Sequence, residues 1–206
     1  MAQVKERPTI ILNHYEAKKI LVEGNKRFVT GDLLNKDLSL NKRISLYTNE
    51  QNPIAAVLTC SDSRVAPEII FDQSLGDLFV IRNAGNIADI ITLGSIEYAV
   101  ENLGVSLIII LAHEKCGAVK ATIDGKKVSS NLKSIINTIA PSLKKVQLAH
   151  KDKGLEKIQS EVENENAKQS AKVLLKSSII KKLIISGELN ILLAKYYLET
   201  GEVKFL

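Results

Sequence analysis

The chain has 206 residues, 45% hydrophobic and 25% charged, which is the balance of a soluble globular protein and excludes a disordered or fibrous one. Its 28 basic and 23 acidic residues leave a net charge of +5, too small an excess to point to nucleic acid or an anionic membrane as partner. A chain of this length buries well over half the surface its unfolded form exposes, so it needs neither disulfide nor metal merely to fold.

At the N-terminus, Lys5, Glu6 and Arg7 break up an apolar stretch too brief for a signal-peptide core. The longest apolar run, Leu107–Ala112, is far shorter than the roughly 20 residues of a membrane-spanning helix. A cytoplasmic protein is therefore expected. Asn13 is a suitable helix N-cap with Glu16 three residues on, and Ala17, Ile20, Leu21 and Phe28 share one helical face, which predicts a helix over 13–28 closed at Gly31-Asp32. Residues 32–50 are polar and broken, so this helix is expected to lie outside the main body as an arm (residues 1–35) on a core of residues 50–206, the whole forming one domain.

Ile54–Thr59, Leu78–Arg82 and Val105–Ala112 are short continuous apolar runs that read as strands buried on both faces. Before the third, Leu93, Ile96, Val100 and Leu103 recur at helical spacing. Strands alternating with helices imply a parallel sheet with right-handed crossovers. Ser129–Ala149 reads as an amphipathic helix interrupted at Pro141. Leu155–Ser177 reads as a second helix, with Ala167, Ala171, Leu174 and Ser178 along one stripe and Lys168, Lys172 and Lys176 along another. No aromatic residue interleaves that basic row for base stacking, so it reads as a solvated face. Leu189–Leu198 and Val203–Leu206, around Glu199-Thr200-Gly201, read as a closing antiparallel hairpin. The fold class is thus α/β, a mostly parallel central sheet with flanking helices, an N-terminal helical arm and a C-terminal hairpin.

Open α/β sheets bind ligands at the carboxyl ends of their strands. The first predicted strand runs into Cys60-Ser61-Asp62-Ser63-Arg64, and the third into His113-Glu114-Lys115-Cys116-Gly117. If these strands are neighbours, two thiols, an imidazole and a carboxylate converge, a donor set that suits Zn²⁺. Taken singly, each part is weak, since a lone cysteine at a strand end is usually a small buried hydrophobe. Both cysteines of the chain fall here, however, along with one of three histidines. A Cys60–Cys116 disulfide fits the geometry equally well but suits a reducing compartment poorly. His14 and His150 lie in polar helical surroundings and read as surface residues. Asp62 and Arg64 read either as a salt bridge that fixes the loop or as a functional pair. Gly117 is either an ordinary helix start or a point of close backbone approach to a metal.

The run Cys60-Ser61-Asp62-Ser63-Arg64-Val65-Ala66-Pro67-Glu68 is followed in order by Gly76-Asp77-Leu78-Phe79-Val80-Ile81-Arg82-Asn83-Ala84-Gly85-Asn86, Ser95-Ile96-Glu97-Tyr98-Ala99 and His113-Glu114-Lys115-Cys116-Gly117-Ala118-Val119. Together these closely resemble the β-class carbonic anhydrases. Gly24-Asn25-Lys26-Arg27-Phe28 is similar to that family's N-terminal helix, and Thr200-Gly201-Glu202-Val203 to its closing hairpin. The resemblance implies a zinc enzyme that interconverts carbon dioxide and bicarbonate, with Cys60, His113 and Cys116 as zinc ligands. It implies that Asp62 and Arg64 form a dyad, the aspartate either ligating zinc in a closed state or resting on the arginine. Gln51, Phe79, Ala84 and Tyr98 fall where some members place the substrate-pocket walls, although Phe79 and Tyr98 read equally as packing residues. A homodimer or tetramer is implied. Ala112 stands where the family commonly has glycine, which puts the positioning of His113 in question, and Asn190–Tyr197 lacks the family's glycine-containing step. The alternatives are a carbon disulfide or carbonyl sulfide hydrolase on the same fold, and a non-catalytic zinc scaffold or bicarbonate-binding regulator.

Overall fold

The computed structural model describes residues 12–149 and 155–206; Lys5, Glu6, Arg7 and His150, with the expectations placed on them, lie outside the described residues. Five strands form one sheet in the order β2-β1-β3-β4-β5. These are β1 (Ala55–Cys60), β2 (Leu78–Asn83), β3 (Leu107–His113), β4 (Asn190–Tyr196) and β5 (Val203–Phe205). All pairings are parallel except β4 with β5, which close the sheet as the predicted hairpin.

The central strands β1 and β3 are buried at every residue, as continuous β-branched and aliphatic runs require when both sheet faces are covered. β2 differs from its reading as a doubly buried strand. It is the sheet edge and is only half-buried, because β1 flanks it on one side and no described strand lies on the other. On one face, Ala56, Leu58, Ile108 and Ile110 pack with Ile96 and Val100 of α4 (Ile90–Asn102), Leu174 of α7 (Leu155–Leu174) and Ile180 of α8 (Ser178–Ile185). On the other, Val57, Leu107, Ile109 and Leu111 pack with Phe71, which follows α3 (Pro67–Ile70), and with Ala17 and Leu21 of α1 (His14–Thr30).

α1 begins as read, with Asn13 and Glu16 forming a capping box, and ends on Gly31 in the left-handed region at φ 80°. Its expected place outside the main body is not what the structure has. Ala17 and Leu21 are fully buried against the chain's own sheet, and Asn25 donates to the Ile70 and Gly201 carbonyls while its Oδ1 accepts from the Val203 N–H. Gly24 lies so close to the turn after α3 that a Cβ would stand 1.8 Å from the Phe71 carbonyl oxygen. The polar stretch that suggested an arm is a surface strap. Lys36 and Arg27 both bind the buried Asp72 carboxylate, and residues 40–49 form a helix, α2 (Leu40–Asn49), capped by Ser39.

Two further differences concern helices. α6 (Ser130–Ala149) runs unbroken through Pro141. Proline keeps a helical φ and sacrifices one backbone bond, and the buried Ile139, Ser142 and Val146 hold the helix in place on both sides. α8 follows α7 after a short break, its Ile180 fully buried. Lys168, Lys172 and Lys176 are exposed, as a solvated face requires.

Candidate metal centre

Parallel pairing of β1 with β3, in register from Ala56↔Ile108 to Thr59↔Leu111, brings Cys60 and His113 to the same carboxyl edge of the sheet. After His113 the chain turns through Lys115 at φ 52°, a left-handed conformation uncommon outside glycine, and returns as Cys116, the N-cap of α5 (Gly117–Asp124). One ligand atom from each of Cys60, His113 and Cys116 lies within 4.8 Å of the others, and all three residues are buried.

The donor set fits zinc on the evidence of the histidine. His113 is fully buried, and its Nδ1 lies 2.8 Å from the Glu114 carbonyl oxygen, which makes Nδ1 the protonated nitrogen. Nε2 has no hydrogen-bond partner among the described residues. A buried ring nitrogen left without a partner is costly. Two thiols within reach of it complete a soft, tetrahedral-capable set of the kind zinc takes. Both thiols are free. The hydrogen bond from Cys116 pulls the Cys60 thiol down to about 4 against the effect of burial, with His113 and the Gly85 and Asp62 N–H groups adding to the pull. The same hydrogen bond, together with burial, pushes Cys116 far up. Burial drags the His113 ring down, but Cys60 beside it outweighs burial and leaves the imidazole raised.

Asp62 stands at the rim. Arg64 binds it at two points, Nε to Oδ1 at 2.9 Å and Nη2 to Oδ2 at 2.7 Å, and the Arg64 backbone N–H also donates to Oδ1 at 3.0 Å. The Arg64 side chain therefore holds the carboxyl far below the usual carboxylate range. Oδ2 lies 3.9 Å from His113 Nε2, on the side of the three ligand atoms. Arg82 braces the same loop, with Nε donating to the Cys60 carbonyl at 3.3 Å and Nη2 to the Asp62 carbonyl at 2.9 Å.

The remaining anticipated residues divide by position. Ala84 follows Asn83, the register partner of Cys60, and so sits at the level of the cluster. Gly117 opens α5, but a Cβ there would meet no atom within 4 Å, so the protein itself does not demand glycine. Ala112 packs in the core beneath His113 without disturbing its ring contact. Phe79 pairs with Ala56, four residues below Cys60, or about 13 Å along the strand. Tyr98, on α4, packs beside it with ring centroids 6.1 Å apart and is half exposed. Gln51 is exposed ahead of β1, at the opposite end of that strand from Cys60. These three do not reach the cluster of their own chain. Arg82, Gln159, Glu163 and Lys195 lie around the ligands without having been given a role from the sequence, where Arg82 figures only as a motif residue ending the second apolar run; the one further signal was a lysine inside the apolar run Ile191–Tyr196.

The carbonic anhydrase family model matches residues 55–203. A carbonic anhydrase of Mycolicibacterium smegmatis is 40% identical over 197 residues, covering 93% of this chain and 93% of its own length. A protein named carbonic anhydrase 2 from Mycobacterium tuberculosis is 41% identical over 194 residues, covering 92% and 91%. Among solved structures, the β-carbonic anhydrase CcaA superposes with a TM-score of 0.75 at 28% identity, covering 91% of this chain and 94% of that one. A tetrameric β-carbonic anhydrase of Sordaria macrospora superposes with a TM-score of 0.70 at 25% identity, covering 81% and 88%.

Proposed function

Since this chain belongs to the carbonic anhydrase family and, as a zinc enzyme of its β class, catalyses the reversible hydration of carbon dioxide to bicarbonate, we propose that Cys60, His113 and Cys116 hold the zinc and that Asp62 and Arg64 work beside it as a dyad. Bound there, zinc supplies the Lewis acidity that makes hydroxide available near neutral pH. Two thiolates and an imidazole would donate strongly to a zinc held there, so the protein must assist. Asp62, kept ionised by Arg64, presents Oδ2 on the ligand side. From there it accepts a hydrogen bond from the attacking hydroxide and turns a lone pair of that oxygen toward carbon dioxide. Arg64 has a second duty. Its two-point grip fixes the orientation of the carboxylate and would keep it off a zinc held by Cys60, His113 and Cys116. The observation that carries this reading is the unpartnered His113 Nε2, facing two thiols and 3.9 Å from Asp62.

Ala84 and Gly117 border the site from within the chain. Gln51, Phe79 and Tyr98 lie at a distance from their own cluster, so as pocket walls they serve the site of a second copy. β2 is an unpaired sheet edge in the single chain, and Ile90 and Ile91 beside it are 83% and 74% exposed, a surface suited to self-association. The working enzyme is on this reading a cytoplasmic homodimer or a tetramer of two such dimers, each chain a single domain. No described helix is long and apolar enough to cross a membrane. The reading as a carbon disulfide or carbonyl sulfide hydrolase is not favoured, since the relatives above carry the name carbonic anhydrase.

Stopped-flow hydration of carbon dioxide, measured with zinc content on the wild type and Cys116→Ser, tests the assignment. One zinc per chain with rapid hydration is expected for the wild type, and loss of both for the variant. Stoichiometric zinc retained by Cys116→Ser contradicts the ligand set.

A further inference from the structure

Behind the ligands is a buried ion pair for which the reaction as described has no use. Lys195 of β4 and Glu163 of α7 meet at 2.7 Å, Nζ to Oε2, with side chains 1% and 2% exposed. Charges this deep are rarely retained for stability, since a well-packed apolar pair often serves as well or better. Every polar atom of this pair is nevertheless satisfied. Lys195 Nζ also donates to the Ser160 Oγ at 2.9 Å and the Ser160 carbonyl at 3.3 Å. The other Glu163 oxygen, Oε1, accepts from Gln159 Nε2 at 3.1 Å and from the backbone N–H of Cys116 at 3.0 Å. Gln159 Nε2 reaches the Cys116 carbonyl as well, at 3.4 Å.

Both backbone polar groups of Cys116 are thus held by one turn of α7, and β4 fixes that turn through Lys195. Cys116 needs such a hold. It stands at the N-cap of α5 without a side-chain cap; its Sγ meets Cys60 and the Ala118 and Val119 N–H groups and its carbonyl also accepts from the Lys120 N–H at 2.9 Å, while its own N–H goes to Glu163 and the preceding Lys115 is in a left-handed conformation. We propose that Glu163, held by Lys195, is a positioning residue that sets the Cys116 thiolate for the metal, with Lys195 also cancelling a buried carboxylate that would otherwise add negative charge beside two thiolates. This rests on Cys116 being a zinc ligand.

The test is the rate at which zinc passes to a chromogenic chelator, together with the visible spectrum of the cobalt-substituted protein and the melting temperature of the metal-free form. E163Q/K195M removes both charges and keeps an acceptor for the Cys116 N–H; its zinc release is expected within about threefold of wild type. E163M/K195M removes the acceptor too, and its release should be about ten- to a hundredfold faster, with an altered cobalt spectrum. Equal release rates and spectra in the two double variants overturn the proposal, and so does a change confined to the metal-free melting temperature, which is what a merely structural pair would produce. Should E163M/K195M fail to fold, E163L/K195M removes the same acceptor with another apolar side chain: about ten- to a hundredfold faster release is expected, and release within about threefold of E163Q/K195M refutes the claim. Cys116→Ser in the same series separates this from the ligand assignment: its retention of zinc would remove the ligand reading itself, whatever the double variants do.

Discussion

Asp62 Oδ2 lies 3.9 Å from His113 Nε2 while the same oxygen receives Arg64 Nη2 at 2.7 Å. The carboxylate is thus held between a guanidinium half exposed to solvent and an imidazole fully buried in the sheet. It can face whatever His113 binds, but only in the orientation that Arg64 permits.

Metal binding by Cys60, His113 and Cys116 requires all three to be deprotonated at the donor atom, so protons compete with zinc. Zinc should stay bound at pH 8 and be released progressively on acidification as protons take the donor atoms. Metal analysis after desalting at stepped pH checks this; full zinc retention at pH 4 would be inconsistent with the assigned donors.

Removing the metal with a chelator should leave the sheet intact. The two core clusters that sandwich it contain none of the three ligands, which belong to the carboxyl edge and the α5–α7 side. Far-UV circular dichroism should change little, while the melting temperature falls because binding to the folded state alone stabilises it. Wholesale loss of the far-UV signal would mean the metal is required for folding.

Asp62 has a folded pKa below its ordinary value, chiefly through the Arg64 side chain. Its contribution to stability is therefore complete above the unfolded value of about 4 and disappears as pH falls through the lower folded value. Wild type and Asp62→Asn should differ in melting temperature by a few degrees at most at pH 6, since exposure of Arg64 screens the pair, and the gap should narrow steadily as pH falls below about 4. A gap that widens in acid would reverse the assigned direction.

Asn25→Ala removes a buried side chain that bridges α1, the end of α3 and the closing hairpin. A loss of about 2–4 kcal/mol is expected from the unsatisfied buried partners, and Gly24→Ala should cost at least as much through its clash with the Phe71 carbonyl. Urea denaturation measures both. A loss under 0.5 kcal/mol in each would return α1 to the status of a loosely attached arm.

The metal cluster was legible in the sequence because chemistry and topology coincide: Cys60 and His113 end two apolar runs, and parallel neighbours must end at the same edge. The place of α1 was not legible. Its buried Ala17 and Leu21 are visible as a helical face, but the polar residues 32–50 look like a tether, and only the long-range pairing of Asn25 with Gly201 and Val203 reveals the attachment. Phe79 and Tyr98 resist assignment for a different reason. Their distance from Cys60 follows from strand register, which no spacing within one motif encodes. Lys195 was hidden because a lysine in a strand pattern ordinarily faces solvent, and its partner Glu163 lies on a helix 32 residues earlier in the chain.

The hydration rate per bound zinc in Arg64→Ala tests the dyad at the metal most directly. Freed of the guanidinium, the Asp62 carboxylate can swing onto the metal, so the variant should keep one zinc per chain while stopped-flow carbon dioxide hydration falls at least a hundredfold from pH 7 to 9. Wild type should speed up over the same range as hydroxide becomes available. Arg64→Ala with wild-type activity per zinc would contradict the account and leave the Asp62–Arg64 contact as a structural salt bridge.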